Sequence, residues 1–109
     1  MNEARVVLTT VGNRDEAEKI ANALVEAEIA ACVNIVGPIR SIYRWEGKVE
    51  NAEEFLLVVK TWGDAYERVE AAIREMHSYD VPECIALRVE RGSEAYLDWV
   101  ENSVRAEDE

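Results

Sequence analysis

Glutamine is missing from this chain, histidine and phenylalanine occur once each, and cysteine and proline twice each. Each scarcity excludes something. One histidine, His77, cannot form a histidine-rich metal site alone, because a metal needs three or four donors. The two cysteines, Cys32 and Cys84, form no C-x-x-C pair, which excludes a zinc ribbon or a thioredoxin-type motif. They read as reduced, buried thiols serving as small hydrophobes. Glycine-rich phosphate loops are absent: Gly12 stands alone after the first apolar run, with neither G-x-G-x-x-G nor a Walker pattern. Basic residues are few, 12 against 23 acidic, for a net charge of −11. Such a surface repels phosphate backbones and anionic lipid, so no nucleic-acid partner is expected. No apolar run approaches the ~20 residues that span a bilayer, so no membrane insertion is expected. The start, Met1-Asn2-Glu3-Ala4-Arg5, lacks the basic and apolar regions of a signal peptide, and the cytoplasm is the expected compartment.

What is present is patterned apolar sequence. Apolar residues make up 49% of 109, enough to build one core, and residues 1–109 read as a single domain. Arg5–Thr10 is a β-branched run and predicts the first strand. Asn13 caps a helix, with Glu16 completing a capping-box pattern, and Ala17, Ile20, Ala21, Leu24 and Ala27 keep helical spacing to Glu28. Ala31–Trp45 predicts a second strand, bent at Gly37-Pro38, where Pro38 has no N–H to give a ladder. Lys48–Thr61 predicts a third strand, apolar on both faces in its later half and therefore buried on both. Asp64 and Glu67 repeat the cap pattern before a helix carrying Tyr66, Val69, Ile73 and Met76. His77–Glu83 is a loop, Cys84–Glu90 a fourth strand, and Ser93 caps a last helix with Tyr96, Leu97, Val100 and Val104. Arg105–Glu109 is expected to fray. The order predicts an α+β, ferredoxin-like βαββαβ sandwich with a long second hairpin and an extra C-terminal helix.

The hairpin carries the strongest argument. Its third strand, at about 12 residues, spans ~40 Å, against roughly 35 Å for the diameter of a domain this size. Tyr43 and Trp45 lie on one strand face near the Glu46-Gly47-Lys48 turn, where Gly47 is the residue most able to adopt positive φ. An isolated two-stranded ribbon is marginal in water and its edges invite pairing. The helices of this fold shield one sheet face only. Both facts predict an oligomer of closed symmetry, with Tyr43, Trp45 and Trp99 at its interfaces.

Five segments together resemble the CutA family of divalent-cation tolerance proteins. They are Ala30-Ala31-Cys32-Val33-Asn34, the tip Ser41-Ile42-Tyr43-Arg44-Trp45-Glu46-Gly47-Lys48, Glu54 through Lys60-Thr61, His77-Ser78-Tyr79-Asp80-Val81-Pro82-Glu83, and Tyr96-Leu97-Asp98-Trp99. They cover nearly the whole chain in family order. The resemblance implies a homotrimer built like the PII signalling proteins and a link to copper or another divalent cation. It implies no organic cofactor. Some family members have a cysteine near the Thr9 position and a second histidine near Met76; this chain has neither.

Several side chains are candidates for chemistry. His77 follows a helix C-terminus, where it either caps the dipole or offers an imidazole to Cu(II) or Zn(II). Lys60 ends an apolar strand. It either snorkels to the sheet edge or pairs with Glu53, Glu54 or Glu83 in a pocket that grips an anion. Cys32, Lys60, Tyr79 and Glu83 form the expected ligand site, with His77 as the metal residue. The expected function is non-enzymatic metal-ion tolerance. One competitor is a PII-like regulator that binds a small anionic metabolite in the subunit clefts. The other is a thiol enzyme using Cys32 or Cys84, which would need a base and an electropositive setting.

Overall fold

Strand β3 (Lys48–Trp62) is the spine of the molecule, paired on one side with β2 (Cys32–Trp45) and on the other with β1 (Ala4–Val11). The short β4 (Ile85–Arg88) adds to the far side of β1, giving an antiparallel sheet in the order β2-β3-β1-β4. Helices α1 (Arg14–Glu26), α2 (Tyr66–Met76) and α3 (Glu94–Ser103) complete the expected α+β architecture. This computed structural model describes residues 2–106.

Period-two alternation sorts β3 into two unlike faces. Phe55, Leu57, Val59 and Thr61 are buried in the core with Val7, Val11, Ile20, Leu24, Val69 and Ile73. On the other face only Glu54 is buried; Leu56, Val58 and Lys60 remain half-buried. The expectation of burial on both faces is therefore met on one face only within a single chain. In-register neighbours extend the open face: Val6, Leu8 and Thr10 from β1, Ile85 and Leu87 from β4, and Cys32, Asn34 and Val36 from β2. Ile85 and Leu87 are each 49% exposed.

The arm overhangs as expected, and the molecule measures 43 × 26 × 22 Å. The β2–β3 register slips between Val36 and Ile39, at Gly37-Pro38. Beyond that bulge the ribbon is uncovered, with Ile42 at 69% and Val49 at 67% exposed. Glu46 and Gly47 both take positive φ (50° and 79°), so the tip is a two-residue turn closed by the Trp45–Lys48 pair.

Local differences from the sequence expectation have identifiable causes. The Asn13 side chain accepts the Glu16 N–H as a cap, but the Glu16 carboxylate leaves the box and accepts from Ser78 N and Oγ instead. Helix α1 ends at Glu26, because Glu28 turns left-handed (φ 60°) and Ile29 and Ala30 N–H return to the Leu24 carbonyl. The Asp64–Glu67 cap is not formed; a 3-10 turn, Gly63–Ala65, leads into α2 with Ala65 as its uncapped start. Strand β4 is shorter than Cys84–Glu90, since only Ile85–Arg88 pairs in register with β1, Val89 adding a single bond to the Ala4 carbonyl. Arg105 does not fray: its N–H donates to the Glu28 carbonyl and its own carbonyl accepts from Arg68 Nη2. Residues 107–109 of that expectation lie outside the described residues.

Candidate functional site

Two separate clusters hold the side chains that the sequence analysis grouped together. The first lies at the base of the open sheet face. Cys32 and Lys60 are register partners, and both Lys60 Nζ and Cys32 Sγ reach Asn34 Oδ1, the thiol at 3.9 Å. Lys60 thus pairs with Asn34 and not with Glu53, Glu54 or Glu83. The Cys32 and Cys84 thiols are both free and only half-buried, so the expectation of full burial is not met. Burial pushes the Cys84 thiol pKa up, and the neighbouring Tyr66 hydroxyl only partly offsets this. That setting favours the thiol over a nucleophilic thiolate. A Cys32–His77 dyad is not formed: Cys32 is opposite Lys60, while His77 sits on Thr10, whose β3 partner is Leu56.

The second cluster surrounds an open cleft of about 800 Å³ between the arm and the loop that follows α2. Ser41, Tyr43 and Trp45 reach it from β2, Glu54 from β3, Thr10 from β1, and Tyr79 and Glu83 from the loop. Strand parity explains the first four: Ile39 pairs with Glu54, so Ser41, Tyr43 and Trp45 share its face.

His77 holds the loop in place. Helix α2 ends there, with its N–H on the Ile73 carbonyl, so it occupies the expected C-terminal position. Its ring is fully buried. Nε2 lies 2.7 Å from the Thr10 carbonyl, which can only accept, so Nε2 carries the proton. Nδ1 then accepts the Tyr79 N–H at 3.1 Å and stands 3.5 Å from Glu16 Oε2. Tyr79 packs on the same ring at 4.7 Å and donates its hydroxyl to Glu54 Oε2 at 2.8 Å. Among the described residues, no group of three His, Cys, Asp or Glu side chains is placed to hold a metal. The described residues of a single chain therefore do not offer a complete divalent-cation site.

The chain matches the family model for the CutA1 divalent ion tolerance protein over residues 5–103. The chain belongs to the CutA family. Among curated relatives, the chloroplastic CutA protein of Arabidopsis thaliana is 48% identical over 92% of this chain and 55% of its own length. This chain thus spans about half of that plant relative. The divalent-cation tolerance protein CutA of Thermus thermophilus is 47% identical over 87% of this chain and 92% of its own. Its solved structure superimposes with a TM-score of 0.92 over 94% and 99% of the two chains. CutA1 of the psychrotrophic Shewanella sp. SIB1 does so at 0.93, with 35% identity over 96% and 98%. The fold read from the sequence is thus a CutA fold.

Within this CutA chain two residues that line or brace the cleft have no such role in the sequence pattern. Glu54 was read only as a partner for Lys60, although its parity with Tyr43 and Trp45 was legible. Glu16 was read only as a capping residue, and nothing local signals its reach to Ser78, 62 positions away. Trp99 stays on α3 beside Tyr96, ring centroids 5.6 Å apart, and both are exposed.

Burial, then the bond to Glu54, pushes the Tyr79 hydroxyl up to about 12; burial and Cys84 do the same to Tyr66. A raised folded-state pKa favours the neutral phenol. The associated stability is complete below the ordinary pKa near 10 and is lost as pH climbs through about 12. Absorbance titration should show Tyr66 and Tyr79 ionising near 12. Ionisation of Tyr79 near the ordinary value would refute the Tyr79–Glu54 geometry.

Proposed function

We propose that this chain acts as a cytoplasmic, non-enzymatic homotrimer in divalent-cation tolerance, with copper as the metal. Family membership supports the tolerance role, and relatives carry that description. The observation behind the assembly is the pairing of a half-exposed apolar sheet face with an uncovered arm. Leu8, Leu56, Val58, Ile85 and Leu87 form one contiguous apolar surface, larger than isolated surface hydrophobes require. Cys32 and Cys84 are unpaired, in keeping with a reducing compartment.

Direct metal binding requires donors from more than one chain. Within one chain, His77 Nδ1 and Glu16 Oε2 already converge, and a cation there would displace the Tyr79 N–H. Neighbouring subunits would supply the remaining donors. The PII-like regulator reading is less well supported by charge: Glu54, Asp80 and Glu83 line the cleft, with no Lys or Arg among its lining residues. That field opposes an anionic metabolite. Lys60, the cation that reading relied on, lies in the other cluster.

Calorimetric titration with Cu²⁺, alongside light scattering, tests the proposal. The expected result is a trimeric mass and saturable binding that weakens by about tenfold or more in His77→Ala, as loss of one imidazole donor requires. Binding that is unchanged in His77→Ala would reduce the metal role to loose attraction by surface carboxylates.

A further inference from the structure

We propose that the back of the hairpin arm docks on helix α3 of a second copy of this chain, with arginines of the arm against the exposed aromatic pair and carboxylates of the helix.

Two exposed surfaces of opposite character lead to this. The first is the face of the arm turned away from the cleft. Tyr43 and Trp45 line the cleft, so alternation sends Arg40, Ile42 and Arg44 to the other side, where Arg44 stands opposite Val49. Ile42 and Val49 are diagonal neighbours across the ribbon, and both are largely exposed. Among the described residues neither arginine forms an ion pair, although Glu53 is the register partner of Arg40. The second surface is the outer side of α3. Val100 faces the core, whereas Tyr96 and Trp99, three residues apart and so on one side, are 43% and 47% exposed. The helix also exposes Glu94, Asp98 and Glu101 and contains no Lys or Arg.

Within one chain these surfaces cannot meet. Both ends of α3 are fixed at the base of the sheet: Val89 bonds to Ala4, the register partner of Trp62, and Arg105 bonds to Glu28. The arm tip lies at the other end of β3, Lys48–Trp62, roughly 40 Å along the strand. That is close to the full 43 Å length of the molecule.

Their chemistry matches. A guanidinium is attracted to a ring face, and to indole most strongly. Ile42 and Val49 supply the apolar area that exposed rings bury. The carboxylates of α3 supply the counter-charge that the arm lacks. The open sheet face is a poorer seat for the arginines, because Lys60 at its base repeats their sign. Each copy gives one arm and receives one, a head-to-tail contact that closes into a ring. This rests on the reading that the chain assembles with itself, and it adds which surface receives the arm.

The experiment is sedimentation velocity of the intact protein over a concentration series, with circular dichroism to confirm folding. The arm variant is Arg40→Glu with Arg44→Glu, the helix variant is Asp98→Lys with Glu101→Lys, and a third carries all four changes. Each position is exposed, so folding is not at risk. Either charge reversal alone should weaken association at least ~10-fold. The fourfold variant should return to within about threefold of wild type, since restored pairing cancels the two losses. Trp99→Leu should weaken association by roughly 2- to 30-fold. A wild-type protein that stays monomeric at every concentration refutes assembly, and this contact with it. If wild type assembles and Leu8→Asp disrupts it, but either reversal or Trp99→Leu leaves association unchanged, the arm–helix contact alone is wrong. Reversals that each weaken association without mutual rescue also overturn it, and place the arm on another surface of its neighbour.

Discussion

Leu8→Asp is expected to yield a single 12.3 kDa chain in place of an oligomer, while remaining folded. Leu8 lies mid-sheet on the open face, opposite Val58 on one side and Ile85 on the other, so no cation stands in register with the new carboxylate. In an isolated chain this face is half-open, and the aspartate keeps its water. Substitution there should cost well under what a core position costs. Once a second copy covers the face, the same carboxylate is desolvated without a partner, at several kcal/mol per chain. Three such sites in a closed ring would shift the association equilibrium by many orders of magnitude. Sedimentation velocity, with circular dichroism to confirm folding, provides the measurement. Equal masses for wild type and variant would show that the open face is not the surface that assembles.

Gly37→Ala is expected to destabilise the protein by about 1–3 kcal/mol, the usual cost of forcing a methyl group into a packed site. Gly37 has φ 158°, and a Cβ there would come within 2.6 Å of Phe55 Cδ2, with Glu54 O and Phe55 Cα at 3.2 Å. The ring can rotate away, but the two backbone atoms cannot. Phe55 in turn supports the Arg14 guanidinium 4.9 Å above its face, and it adjoins Glu54 in the cleft. The bulge also sets the direction of the arm. Thermal unfolding should fall by several degrees, and arm-dependent assembly should weaken with it. A melting temperature within a degree of wild type would mean that Phe55 and its strand yield more readily than their packing indicates.

Much of this was legible in the residue pattern. A β-branched run identified β1, alternation identified β3, Gly37-Pro38 marked the bulge, and the spacing from Ala17 to Leu24 marked α1, because each signal is local. The arm was legible from strand length alone. The candidate site was less so. Tyr79 and Glu83 line the cleft beside Tyr43 and Trp45, which the sequence pattern assigns to subunit interfaces instead, whereas Cys32 and Lys60, expected beside Tyr79 and Glu83, occupy the opposite end of the sheet. Sequence reasoning had no means to measure that separation before the β2–β3 register was known. The buried Thr9 hydroxyl, with no hydrogen-bond partner among the described residues, is likewise invisible from sequence, since threonine is an ordinary strand residue.

The junction of Glu28, Arg68 and Arg105 sets how the polypeptide leaves its fold. Main-chain and guanidinium bonds pin Arg105 between the end of α1 and the side of α2. Arg105 is thus held at a fixed point beside two helices. A reporter joined there would report the orientation of the helical layer, whereas one inserted at Glu46–Gly47 would ride on the distal ribbon.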